Sequence, residues 1–111
     1  MSYRTPGFRV LLRMRIHPGL EQGFEKEWHT VAEAVTGHPA NLGHWLMRDS
    51  GADEPVYYIG SDWVDEQQFR QFEASPQHLA HRARLHPYRS DGSIATMRVL
   101  DHMPGAAADL G

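Results

Sequence analysis

Between Phe8 and Ile16 apolar and polar positions alternate. Phe8, Val10, Leu12, Met14 and Ile16 share one face; Arg9, Leu11, Arg13 and Arg15 share the other. That period of two predicts a strand with one buried face. His17-Pro18-Gly19 breaks it. The period then changes, and Leu20, Phe24, Trp28, Val31 and Val35 recur every three or four residues, predicting an amphipathic helix over about 19–36. Gly37 is its natural C-cap and Pro39 bars continuation, while Gly23 inside it costs about 1 kcal/mol relative to Ala. Residues 41–48 and 56–63 read as strands, the second β-branched and aromatic, and the turn-rich run Asp49 to Pro55 joins them as a hairpin. Asp65 and Gln68 form a capping-box pattern ahead of a helix over Glu66–Ala74 that buries Phe69 and Phe72. Ser75-Pro76 restarts the chain as N-cap and N1 of a helix to about Leu85, which Pro87 ends. The last strand is expected over about 93–102. The tail from Met103 onward, made of Pro, Gly and Ala, is expected to be disordered.

The resulting order, β-α-β-β-α-β, predicts an α+β fold: a ferredoxin-like four-stranded antiparallel sheet with helices on one face. With 111 residues there is room for one domain, expected over 1–103 with 104–111 as the tail. No internal repeat is visible. The strands are partly apolar on both faces: Leu42, His44 and Leu46 against Trp45 and Met47, and Val56 and Tyr58 against Tyr57, Ile59 and Trp63. Two helices cover one face, so the other needs a second cover, and a second copy of the chain is the economical one. A homodimer is therefore expected.

Composition narrows the class. Apolar residues make up 41% and charged residues 23%, as in a water-soluble globular domain. A net charge of −3 argues against a nucleic-acid partner. No apolar run reaches the roughly 18 residues of a membrane span. Met1-Ser2-Tyr3-Arg4-Thr5-Pro6-Gly7 lacks the apolar centre of a secretory leader, so a cytoplasmic protein is expected. With no cysteine there are no disulfides, no thiolate catalysis and no Cys-based metal site. Lys26 is the lone lysine among the basic residues, a bias that makes the arginine count itself uninformative. Eight histidines are many for this length, and histidine is the side chain poised to exchange a proton near neutral pH.

The segment His38-Pro39-Ala40-Asn41-Leu42-Gly43-His44-Trp45-Leu46-Met47-Arg48 resembles the second-strand signature of antibiotic biosynthesis monooxygenase domains. Tyr58-Ile59-Gly60-Ser61-Asp62-Trp63-Val64-Asp65-Glu66-Gln67-Gln68-Phe69, followed by Ser75-Pro76-Gln77-His78, resembles their third-strand tryptophan, helix and S-x-x-H pattern. His86-Pro87-Tyr88-Arg89 and Gly92-Ser93-Ile94 are similar to members found beside aromatic polyketide synthases. The resemblance runs from about Phe8 to Leu100. It implies a dimeric α+β barrel and a monooxygenase that oxidises an aromatic polyketide, anthrone to quinone, with O2 and without flavin, haem or metal. Haem-degrading relatives use an Asn on the first strand, and Phe8 to Ile16 contains none. Because the fold hosts several chemistries, an aromatic polyketide cyclase and a non-catalytic ligand-binding protein stay open.

Cofactor-free oxygenation needs a flat aromatic pocket, a base, and donors for an oxyanion. The candidates for the chemistry are His44, His86 and Arg82; those for substrate binding are Asn41, Trp63 and Tyr88. On the helix after Pro76, Leu79 and Leu85 bracket the arc expected to face the sheet, and Arg82, His78 and His86 fall between them. Arg82 there either faces a cavity that holds an anionic oxygen or pairs with a carboxylate. His86, before Pro87, is a base or a loop residue. His44 is a base or a hydrogen-bonded core or interface histidine. Trp63 walls the pocket or belongs to the core. Asn41 is an oxyanion donor or a strand-start residue. Tyr88 and Arg89 form a lid or a solvated turn. Phe24 and Trp28 read as core. His78 and His81 have the spacing of a helical metal pair, but no Glu lies between them and no Cys exists, so no metal is expected.

Overall fold

A computed structural model describes residues 5–108 of the chain. In order it holds β1 (Phe8–Ile16), α1 (Glu21–Thr36), β2 (Asn41–Arg48), β3 (Val56–Trp63), α2 (Glu66–Glu73), α3 (Pro76–Leu85), a 3-10 turn (His86–Tyr88) and β4 (Arg89–Arg98). The strands lie in the order β2-β3-β1-β4, each antiparallel to its neighbours. This is the ferredoxin-like α+β sheet. Each crossover helix carries the chain past one strand position, and β3, returning from β2 as a hairpin, fills the gap beside β1.

The pairing register decides which side chains share the interior. Phe8 faces Trp63, Val10 faces Ser61, Leu12 faces Ile59 and Met14 faces Tyr57 on the helix-covered side. His44 lies opposite Ser61 and Leu46 opposite Ile59 on that same side. Leu42 does not simply alternate with them, because the β2–β3 register shifts between Asn41 and Gly43 and a bulge interrupts the period of two. The core forms two clusters. One is built on Phe8, Trp63, Phe69 and Phe72, the other on Ile16, Phe24, Tyr57 and Leu85. On the other side of the sheet Arg9 donates through a fork to the buried Asp62, at 2.7 and 2.9 Å. Trp45, Met47 and Met97 remain exposed there.

Three elements differ in their bounds from the sequence pattern. β4 begins at Arg89, four residues before the expected start, and ends at Arg98. Arg89-Ser90-Asp91-Gly92 is turn-like in isolation, yet β1 extends opposite it, with Met14 paired to Gly92 and Arg15 to Asp91. A partner strand already in place overrides weak local propensity. α1 begins at Glu21 because Leu20 is exposed and serves as the N-cap. α2 ends at Glu73, with Ala74 as its C-cap. Of the expected tail, Ala106–Ala108 form an exposed 3-10 turn. Residues 1–4 and 109–111, on which the absence of a leader and the end of the tail partly rest, lie outside the described residues. Among the described residues no helix is long and apolar enough to cross a membrane.

Candidate active site

Between the sheet and α1, α2 and α3 the two core clusters leave a cavity of about 570 Å³. Its walls come from both clusters: Val10 and Leu12 of β1, Val31 and Val35 of α1, Trp63 of β3, and Phe69 and Phe72 of α2. Such a volume suits a fused-ring small molecule. Ser75, whose hydroxyl accepts from the His78 N–H at 3.2 Å, sets the start of α3 and hence the phase of its inner face. That face is rotated relative to the expected arc. Leu85 is buried and His78 and His81 are half-buried, whereas Leu79 is 52% exposed. The buried arc is therefore centred near Leu85, and Arg82 stands at its edge, exposed, while still lining the cavity.

His44 enters from β2. Its ring stacks on Trp28 of α1 with centroids 5.2 Å apart and planes 10° apart. Its Nδ1 is buried without a partner, which leaves Nε2 as the nitrogen able to meet a ligand. Burial, and secondarily the nearby His78, pushes its pKa down to about 4. Burial likewise lowers His78, helped by the Arg82 guanidinium and His81 and opposed by Glu73. Near neutral pH the cavity thus presents two uncharged imidazoles. Trp63 packs on Phe69 and Phe72 at 5.4 and 4.8 Å, and its indole Nε1 is buried with no acceptor. The Nε1 of Trp28 is in the same condition. Buried polar atoms without partners are uncommon in native cores, and those of Trp28, His44 and Trp63 belong to residues of one cavity.

The candidate residues separate. His44, Trp63, Arg82 and His86 all line the cavity. Arg82 makes no ion pair or hydrogen bond among the described residues, so none of them is its carboxylate partner. His86 sits at the mouth, where its Nδ1 accepts from Arg89 Nε at 3.2 Å. Asn41 does not line the cavity. Its amide donates to the Gly43 carbonyl, Ser61 Oγ and the Asp62 carbonyl, each at 3.2 Å, and so secures the β2 bulge. Tyr88 is also outside, packed on Phe24 at 6.3 Å and lying against Gly23. The glycine in mid-helix makes room for that ring. Trp28, which the sequence pattern placed in the core, and His78, which it placed on the inward arc of α3, both line the cavity. For Trp28 the available signal was an indole N–H within an otherwise apolar stripe. His, Asp and Glu side chains among the described residues do not converge in threes as a metal site would need.

The family model for antibiotic biosynthesis monooxygenases matches residues 7–84. Among curated proteins no sequence match is found. Of solved structures, SnoaB from Streptomyces nogalater, described as a cofactor-independent oxygenase, superposes with a TM-score of 0.77 at 22% identity, covering 91% of this chain and 100% of that one. A conserved protein from Methanosarcina mazei superposes at 0.76 and 16% identity, covering 84% and 92%. A protein of unknown function from Bacteroides thetaiotaomicron superposes at 0.74 with 7% identity, covering 86% and 100%. At these identities the likeness is one of fold.

Proposed function

Since the chain belongs to the antibiotic biosynthesis monooxygenase family, we propose that it is a cofactor-independent monooxygenase oxidising an aromatic polyketide intermediate of anthrone type to the quinone. The observation that carries this reading is the aromatic cavity with an uncharged, stacked histidine at its wall. The fold it shares with SnoaB, described as a cofactor-independent oxygenase, supports it. An anthrone needs no cofactor to react with O2 once it has lost a proton, because the resulting carbanion is itself the reductant. The Nε2 of His44 takes that proton, and Arg82 at the cavity edge balances the charge delocalised onto the anthrone oxygen. The walls of Trp63, Phe69 and Phe72 hold the rings flat. Oxygen adds at the deprotonated carbon, and loss of water from the hydroperoxide leaves the carbonyl. One O2 is consumed per substrate; one of its atoms enters the quinone and the other leaves as water. His86 has its Nδ1 engaged with Arg89, so the base role goes to His44.

The test is oxygen uptake with an anthrone and labelled O2. One O2 per anthrone and one labelled atom in the product are expected. A product that has lost one water with no O2 consumed would establish a cyclase instead, and binding without turnover would establish a ligand-binding protein. Arg82→Ala is expected to lower turnover about tenfold or more, from lost oxyanion stabilisation of roughly 1.4 kcal/mol or greater. Its melting temperature should stay close to wild type, because no ion pair among the described residues is broken. Preserved turnover would remove Arg82 from the chemistry.

A further inference from the structure

We propose that the mouth of the cavity carries a subsite for a carboxylate borne by the ligand, built on Arg89. The inference deepens the reading of the cavity as an aromatic-substrate site and rests on it. Arg89 opens β4 directly after the 3-10 turn and is half-buried. Two neighbours hold its guanidinium. Its Nε donates to His86 Nδ1 at 3.2 Å. An ideal Cβ at residue 92 would lie 2.5 Å from an Arg89 Nη, so the group rests on the strand where only glycine leaves space. With Nε committed, the Nη groups remain free to donate.

Among the described residues no carboxylate pairs with them. Arg9, Arg15, Arg70 and Arg84 each pair with an Asp or Glu, in a chain whose acidic residues outnumber its basic ones. Arg13, Arg82 and Arg89 make no ion pair among the described residues and all three line the cavity, and of these Arg89 is the one whose guanidinium a neighbouring side chain fixes. Glu73 also lines it, but its carboxylate is held by Arg70 at 3.0 Å. A guanidinium fixed at its Nε and open at its Nη groups matches a planar carboxylate. The interior offers apolar rings and uncharged imidazoles, where an ionised group would be costly. A flat ligand with a carboxylate at one end is therefore best placed rings inward, with its charge at Arg89, the guanidinium already held in position. Arg89 is in this sense a specificity-determining residue.

The test compares 1,8-dihydroxyanthraquinone with its 3-carboxylate, each binding measured by quenching of tryptophan fluorescence. Wild type is expected to bind the carboxylate roughly tenfold more tightly, as for one charge-assisted fork. In Arg89→Gln that preference disappears while the parent quinone binds as before. Gly92→Ala, which pushes the guanidinium off the strand, does the same with Arg89 intact. Equal affinity of wild type for both compounds, or a preference that survives in Arg89→Gln, overturns the subsite and leaves the aromatic-cavity reading standing. Failure of both compounds to bind overturns the cavity reading and the subsite with it.

Discussion

At the scale of single residues, burial of His44 adds a pH-dependent contribution to stability. Its pKa lies near 4 in the folded chain, because burial disfavours the charged ring and His78 adds to that, against an ordinary value of 6.5. A base whose folded pKa is depressed binds its proton more readily once unfolded, so its contribution to stability is fully present above about pH 6.5 and lost as pH falls towards 4. The full shift corresponds to about 3 kcal/mol, and partial exposure of the ring makes that an upper figure. The expected outcome is a fall in urea-unfolding free energy between pH 6.5 and 4 that is smaller in His44→Gln than in wild type. The same slope in both proteins would mean that His44 does not resist protonation. Sequence alternation alone marked this histidine, but whether it met a base's cavity or a packed core depended on Trp28 from another element.

At the scale of elements, the sheet depends on close backbone approach where β1 begins. Gly7 N–H donates to the Trp63 carbonyl at 3.0 Å, and its own carbonyl accepts from Val99 N–H at 3.1 Å. A Cβ on residue 7 would meet the Val64 carbonyl oxygen at 2.4 Å. Backbone, unlike a side-chain tip, cannot swing aside. Gly7→Ala should therefore cost about 1–3 kcal/mol, read as a lower chemical-denaturation midpoint, and it should disturb the end of β3 that carries Trp63. An unchanged midpoint would show that the strand entry yields freely. The starts of α2 and α3 and the strands β2 and β3 were legible because each has its own punctuation: Asp65 with Gln68, Ser75 before Pro76, and Asp49 to Pro55. β4 was not, since its first residues look like a turn until β1 supplies the pairing.

At the scale of the whole molecule, the uncovered sheet face is where we propose that a second copy of the chain docks. Trp45 is 47% exposed, with its ring over the Cα positions of Gly43 and Gly60, and Met47 and Met97 are exposed beside it. An apolar surface of this kind on a small chain marks an interface, and a self-complementary one gives a two-fold dimer. Light scattering should give twice the 12.6 kDa of one chain, and Trp45→Glu should shift the population to single chains with helix and sheet content retained. A wild-type mass of one chain at micromolar concentration would refute the dimer.

What the sequence alone determined is the order of elements and the inward set of β1, because periodicity and capping are local properties of the chain. The two-sided apolar character of the sheet was legible for the same reason. Tertiary structure alone decided which candidates share a cavity. Asn41 spends its amide on a β-bulge, Tyr88 fills the space above Gly23, and Arg82 finds among the described residues no carboxylate of the kind a helical wheel could neither supply nor deny. It also decided that Arg89 is held, by a histidine three residues earlier and a glycine three residues later. Those outcomes depend on where groups distant in the chain, or separated by a turn, come to rest. Local pattern carries no record of such distances.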